Sequence, residues 1–167
     1  PKGYLLVFAS GKNRKPDVNH WETAVFAQDT WRYFIGSQNP PASWTRMEFD
    51  ASSWLSGPGG IGFGDKDDGT EIVSTISVFM IKSFDIPDVS AIKSCVLSMD
   101  YDDGFVAYLN GTEIARANIE GAFPAYNKLT TTDHEAQMYQ GGIPENFLID
   151  ETLLKSLLVN GKNVLAV

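Results

Sequence analysis

Tyr101-Asp102-Asp103-Gly104-Phe105-Val106-Ala107-Tyr108-Leu109-Asn110-Gly111-Thr112-Glu113-Ile114-Ala115-Arg116 is the stretch on which the fold turns. Two apolar, β-prone runs flank Asn110-Gly111. Asn-Gly suits a two-residue type I′ turn, because both central residues must sit at positive φ. Such a turn sets an antiparallel register: Leu109 opposite Thr112, Tyr108 opposite Glu113, Ala107 opposite Ile114. Alternation then puts Phe105, Ala107, Leu109 and Ile114 on one face and Val106, Tyr108 and Ala115 on the other. An antiparallel β architecture follows from this. A ligand does not.

The rest of the chain agrees with many strands and tight turns. Its 167 residues make one domain of ordinary size, or one domain and a fragment. A 43% hydrophobic content supports a real core, and 15 Gly and 8 Pro fit frequent turns better than long helices. The net charge of -8 argues against nucleic acid, whose phosphates need a basic face, and against anionic membrane surfaces. It permits neutral sugars and divalent cations. No run of about 18 apolar residues is present, so no helical membrane insertion is expected. The lone Cys95 shares an alternating face with Leu97 and Met99 and reads as a buried thiol rather than a nucleophile.

Along the chain, residues 3 to 9 read as a buried strand and residues 10 to 19 as a polar connection. Residues 20 to 35 are rich in aromatics. Trp44, Met47, Phe49 and Trp54 then alternate with polar residues, and residues 57 to 64 are glycine-rich. Val73 to Phe84 and Ile92 to Tyr101 read as strands. Asn118 to Gly142 reads as a long polar loop and hence a candidate binding region. Phe147 to Leu158 has a helix-like or turn-like pattern, and Asn160-Gly161-Lys162-Asn163 turns into the apolar end. Short strands at regular spacing with turn signals predict an all-β, antiparallel β-sandwich. The chain opens at Pro1 and stops within the apolar run Val164-Leu165-Ala166-Val167, which leads us to expect a piece of a longer polypeptide.

Several of these segments carry a resemblance. Asp102-Asp103-Gly104 with the strand to Asn110-Gly111, and Gly161-Lys162-Asn163 entering Val164-Leu165-Ala166-Val167, resemble the jelly-roll of galactose-binding-like domains. The non-catalytic sugar-binding domain of β-galactosidase-type and β-glucuronidase-type glycoside hydrolases has a similar pair. Phe49-Asp50-Ala51-Ser52-Ser53-Trp54 and Gly60-Ile61-Gly62-Phe63-Gly64-Asp65 are similar to segments of accessory domains in large secreted bacterial proteins. The resemblance spans residues 20–167 and implies a jelly-roll truncated at its C-terminus, in an extracellular or cell-surface protein. Residues 1–19 then form a separate N-terminal strand. Residues 3–12 resemble the end of a lamin-tail-type module; an edge strand of the main domain is the other reading.

The candidate chemistry is sparse. Asp65, Asp67, Asp68 and Glu71 supply clustered oxygens around Gly69, as calcium requires, and the resemblance also suggests a structural calcium; a solvated acidic turn is the alternative. Asp102 and Asp103 read first as turn formers that could also bind a sugar hydroxyl. Neighbours on a strand point to opposite faces, so they are not expected to act on one glycosidic bond. Gly59 to Gly64 lacks the Lys-Ser/Thr of a phosphate loop and reads as a place where another backbone packs closely. Sugars bind aromatic faces, for which Trp21, Trp31, Tyr33, Trp44, Trp54, Tyr126 and Tyr139 are candidates. Tyr126 and Tyr139, in the polar loop, are the strongest of these, with Arg116 and Asn118 as hydroxyl partners. His134 reads as a solvated loop residue. No nucleophile elbow, zinc spacing or other catalytic constellation is visible, so a non-enzymatic role is expected. The expected function is carbohydrate or surface-glycan binding by an accessory module; the alternative is a structural spacer or protein-interaction domain contacting neighbouring modules.

Overall fold

The computed structural model describes residues 5–10, 20–64 and 68–167, the first of these by backbone only. Two antiparallel sheets face each other across a shared core. The four-stranded sheet runs in the order β11 (Glu145–Ile149), β8 (Ile92–Met99), β1 (Leu5–Ser10), β2 (Trp21–Val25). The six-stranded sheet runs β10 (Thr112–Ala117), β9 (Phe105–Leu109), β12 (Gly161–Ala166), β7 (Val78–Ile86), β3 (Thr30–Ile35), β4 (Leu55–Pro58). A short parallel pair, β5 (Ile61–Gly62) and β6 (Thr70–Glu71), lies beside them. β1 is an inner strand, paired with both β8 and β2, not an edge.

The core between the sheets contains Trp31, Phe84, Cys95, Leu97, Met99, Phe105, Leu109 and Leu165. Cys95 is the buried thiol expected, and burial pushes its pKa up to about 12. The six-stranded sheet is covered on its other face too. There Ile81, Val106, Tyr108, Val164 and Ala166 meet Trp44, with Met47, Phe49 and Trp54 packed around them from the 36–54 segment. This explains why Val164-Leu165-Ala166 is continuously apolar: β12 is buried on both faces, so alternation has no polar side to mark. Trp31, Tyr33 and Trp44 are core residues and Trp54 is half-buried, so these sugar-binding candidates are accounted for by packing.

The decisive hairpin forms with Asn110 at φ 51 and Gly111 at φ 91. Leu109 faces Thr112 and Tyr108 faces Glu113, as the turn dictates. Beyond that the register slips: Ala107 faces Ala115, not Ile114. Ile114 is the extra residue of a bulge, and Ala115 consequently packs with the inter-sheet core instead of with Val106 and Tyr108. A second correction concerns Val73 to Phe84, where pairing begins only at Val78. Its partner β3 ends opposite Val78 at Ile35, so residues 73–77 have no strand to pair with there, and Val73 and Ile76 stand exposed. The Phe147–Leu158 segment is strand β11 followed by α1 (Glu151–Leu157), whose N-cap Asp150 accepts the Leu153 N–H at 2.9 Å.

Asn110 has a second role. Its Nδ2 donates to the Leu157 carbonyl and to Asn163 Oδ1, both at 2.8 Å, and its Oδ1 accepts the Val164 N–H at 2.8 Å. Asn163 is fully buried; its Nδ2 donates to Val159 O (2.8 Å) and Gly161 O (2.9 Å), and its Oδ1 also accepts the Val159 N–H (3.0 Å). The two amides thus tie the hairpin, the end of α1 and the start of β12 into one satisfied polar network.

Candidate functional site

At the end of the sandwich opposite the hairpin, β8 and β12 stop while β7 and β9 start. The connections there need anchoring of their own, because the sheet ladders have run out. Asp100 accepts the Gln137 and Met138 N–H groups at 2.8 and 2.9 Å, and the Asp103 carboxylate accepts the His134 N–H at 2.7 Å. The His134 ring stacks on Tyr101 with centroids 4.1 Å apart. Its Nδ1 lies 3.0 Å from the Tyr101 carbonyl and its Nε2 3.1 Å from Glu145 Oε1, while the Tyr101 hydroxyl donates to Glu145 Oε2 at 3.1 Å. His134 is therefore a strut of the long loop, not a solvated residue.

Asn118, at φ 53, anchors the other end of that loop. Its Oδ1 accepts from the Thr131 and Thr132 hydroxyls at 2.7 and 2.8 Å, and its Nδ2 donates to the Asp103 and Thr132 carbonyls. Arg116 pairs with both Glu113 oxygens at 2.6 Å and donates to the Ile119 and Gly121 carbonyls at 3.0 and 2.9 Å. The Arg116 guanidinium, bonded to Glu113, holds that carboxyl below its ordinary value. Arg116 and Asn118, expected to contact ligand, instead hold the loop in place.

Asp100, Tyr101 and Asp103 line a cavity of about 720 Å³. Of the residues singled out in the sequence, Trp44, Asp68, Asp102, Asp103 and Tyr139 line it; Arg116, Asn118, Tyr126 and Glu71 do not. Tyr126 is half-buried, and its backbone carbonyl accepts the Ser77 hydroxyl at 2.6 Å. Trp21 is exposed on β2, away from the cavity. Phe63, Phe123 and Lys128 also line the cavity and were not expected. Phe63 carried the one legible signal, a large apolar residue between glycines. Phe123 stacks on Tyr108 with centroids 5.8 Å apart, a contact between distant segments that no local pattern announces.

Asp102 and Asp103 lie between β8 and β9, outside both strands, so strand alternation does not govern them. Their carboxyls are close enough to hydrogen-bond each other. This corrects the expectation that they point to opposite faces. Burial first, then the charges of Asp103 and Glu135, raises the Asp102 pKa above its ordinary 3.8. The folded protein therefore binds this proton more tightly than the unfolded chain. Stability falls as pH rises from 3.8 through the raised folded value. Asp102→Asn should melt higher than the parent at neutral pH, with the gap closing at about pH 3. Melting curves at both pH values test this; an equal gap at both rejects it.

The calcium ligands are divided. Asp65 and Asp67 lie outside the described residues. Asp68 Oδ1 stands 2.5 Å from where a Cβ on Gly62 would be, and Glu71 is exposed on β6. Among the described residues, no three His, Cys, Asp or Glu side chains are grouped to hold a metal ion. Nor, among them, is any helix long and apolar enough to cross a membrane.

No family model matches the sequence, and no curated protein matches it. Solved structures do. A β-glucuronidase from glycoside hydrolase family 2 superposes with a TM-score of 0.52 at 16% identity, over 99% of this chain and 14% of that one. The fold is a β-sandwich with a counterpart in that enzyme. Bifidobacterium dentium β-glucuronidase, complexed with coumarin-3-O-glucuronide, matches with a TM-score of 0.49 at 15% identity, over 98% of this chain and 20% of that one. The chain thus spans a fifth or less of the length of either enzyme.

Proposed function

We propose that the chain is a galactose-binding-like, non-catalytic accessory module of a larger exported protein, and that it binds carbohydrate or surface glycan in the loop-end cavity. The observation that carries this reading is the cavity itself, which exposed Phe63, Phe123 and Tyr139 line together with Asp102 and Asp103. Aromatic faces suit the C–H face of a sugar ring, and carboxylates suit its hydroxyls. The fold it shares with part of a glycoside hydrolase is consistent with this role.

Titration of the chain with an oligosaccharide panel, followed by NMR, tests the proposal. Saturable binding with Kd below about 1 mM is expected, and Tyr139→Ala should weaken it about tenfold. No binding at millimolar sugar would leave the spacer reading, in which the module only positions its neighbours. A structural calcium in the 65–71 turn belongs to the same proposal and rests on Asp65 and Asp67, since the described donors are too few. Calcium over chelator should raise the melting temperature by roughly 5 to 10 °C when saturating. An unchanged melting temperature removes calcium from the proposal.

A further inference from the structure

The charge lining the cavity is mostly of one sign. Among the described residues its acidic lining is Asp68, Asp100, Asp102 and Asp103, and its basic lining is Lys128 alone. Asp100 and Asp103 are partly compensated by backbone N–H groups of the long loop. Asp102 is within hydrogen-bonding reach of Asp103, with Glu135 nearby; both neighbours repel its charge, and His134 attracts it. The exposed rings of Phe63, Phe123 and Tyr139 line the same cavity and give it an apolar share.

A ligand that suits both features has a ring with an apolar face and a positive group beside it. We propose that the cavity selects glycans bearing a protonated amine, such as amino sugars whose nitrogen is not acetylated, and disfavours uronic acids. This rests on the carbohydrate-binding reading above and adds the charge of the sugar. An ammonium group beside Asp102 and Asp103 is attracted by both carboxylates and relieves their mutual repulsion. N-acetylation removes that charge while keeping the ring. A uronic acid adds a further negative charge to a lining that already carries four carboxyl side chains.

The experiment titrates the whole chain, followed by NMR, with a glucosamine tetramer, its N-acetylated form, a glucuronate oligomer and tetralysine at about pH 6. The glucosamine tetramer is expected to bind at least about tenfold tighter than the acetylated form, move the resonances of residues 102–104, and weaken with added salt. Asp102→Asn should remove most of that preference, and its melting curve confirms that it is folded. Equal affinity for the acetylated tetramer, or tighter binding of glucuronate, overturns the inference and leaves carbohydrate binding standing. Equal affinity for tetralysine overturns it as well, since charge alone would then suffice. Failure of every saccharide removes the carbohydrate reading itself.

Discussion

Asn163→Leu is expected to destabilise the protein by about 3 to 4 kcal/mol, lowering its melting temperature by roughly 10 °C. The side chain is fully buried, so no water can replace what it bonds. Leucine keeps the volume and removes every hydrogen bond. The Val159 N–H, the Val159 and Gly161 carbonyls and one Asn110 N–H would all lose a partner at once. Each buried polar group left unpaired costs about 1 to 3 kcal/mol, offset in part by relaxation around the site. Asn163→Asp separates hydrogen bonding from shape. It keeps both size and acceptor, but loses the two donors and points a charge at two carbonyls. It should be no more stable than the leucine variant at neutral pH and should regain stability on acidification, as protonation restores one donor. Chemical denaturation of both variants measures this; a loss under about 1 kcal/mol in each would show that the network contributes little.

Gly59→Ala should cost about 2 kcal/mol, although it adds a single methyl group. A Cβ at this position would stand 2.0 Å from the Ala27 carbonyl oxygen and 3.3 Å from Trp31 Nε1. The first contact is with backbone, which cannot rotate away as a side-chain tip can. The Gly59 N–H also donates to the Asp29 carbonyl at 2.9 Å, so retreat of the strand would lengthen that bond. Ser56→Ala on the exposed side of β4 is the control and should change stability by no more than about 0.5 kcal/mol. The Trp31 indole N–H resonance should shift in Gly59→Ala, because the new methyl lies beside it. Equal stability of the two variants would mean that the close approach of residues 27 and 59 is easily relaxed.

Both predictions concern residues whose importance was half visible in the sequence. Asn110 was legible as a turn residue, because a type I′ corner depends on two adjacent residues. That its amide also meets Asn163 was not legible, since the two are joined only when β12 lies beside β9. The glycine run at 59–64 was readable as a place of close packing, but not what packs there. The expected face assignment of β10 failed at Ala115, because the bulge at Ile114 adds a residue without a distinct local signature. Arg116 and Asn118 were chosen for their chemistry and position; their bonds go to the loop, and a guanidinium or amide reads alike whether it meets a carbonyl of its own chain or a sugar hydroxyl.

The amino-acid order alone determined the antiparallel class, the Asn-Gly corner, the buried thiol and the length of the polar loop, because each depends on neighbouring residues or on the period of apolar positions. The tertiary structure decided which aromatics are core and which line the cavity, how Asp102 and Asp103 come to face each other, and where Phe63, Phe123 and Lys128 join them. Those outcomes depend on which segments meet where the strands end, and contacts between segments far apart in the chain leave no periodic trace in it.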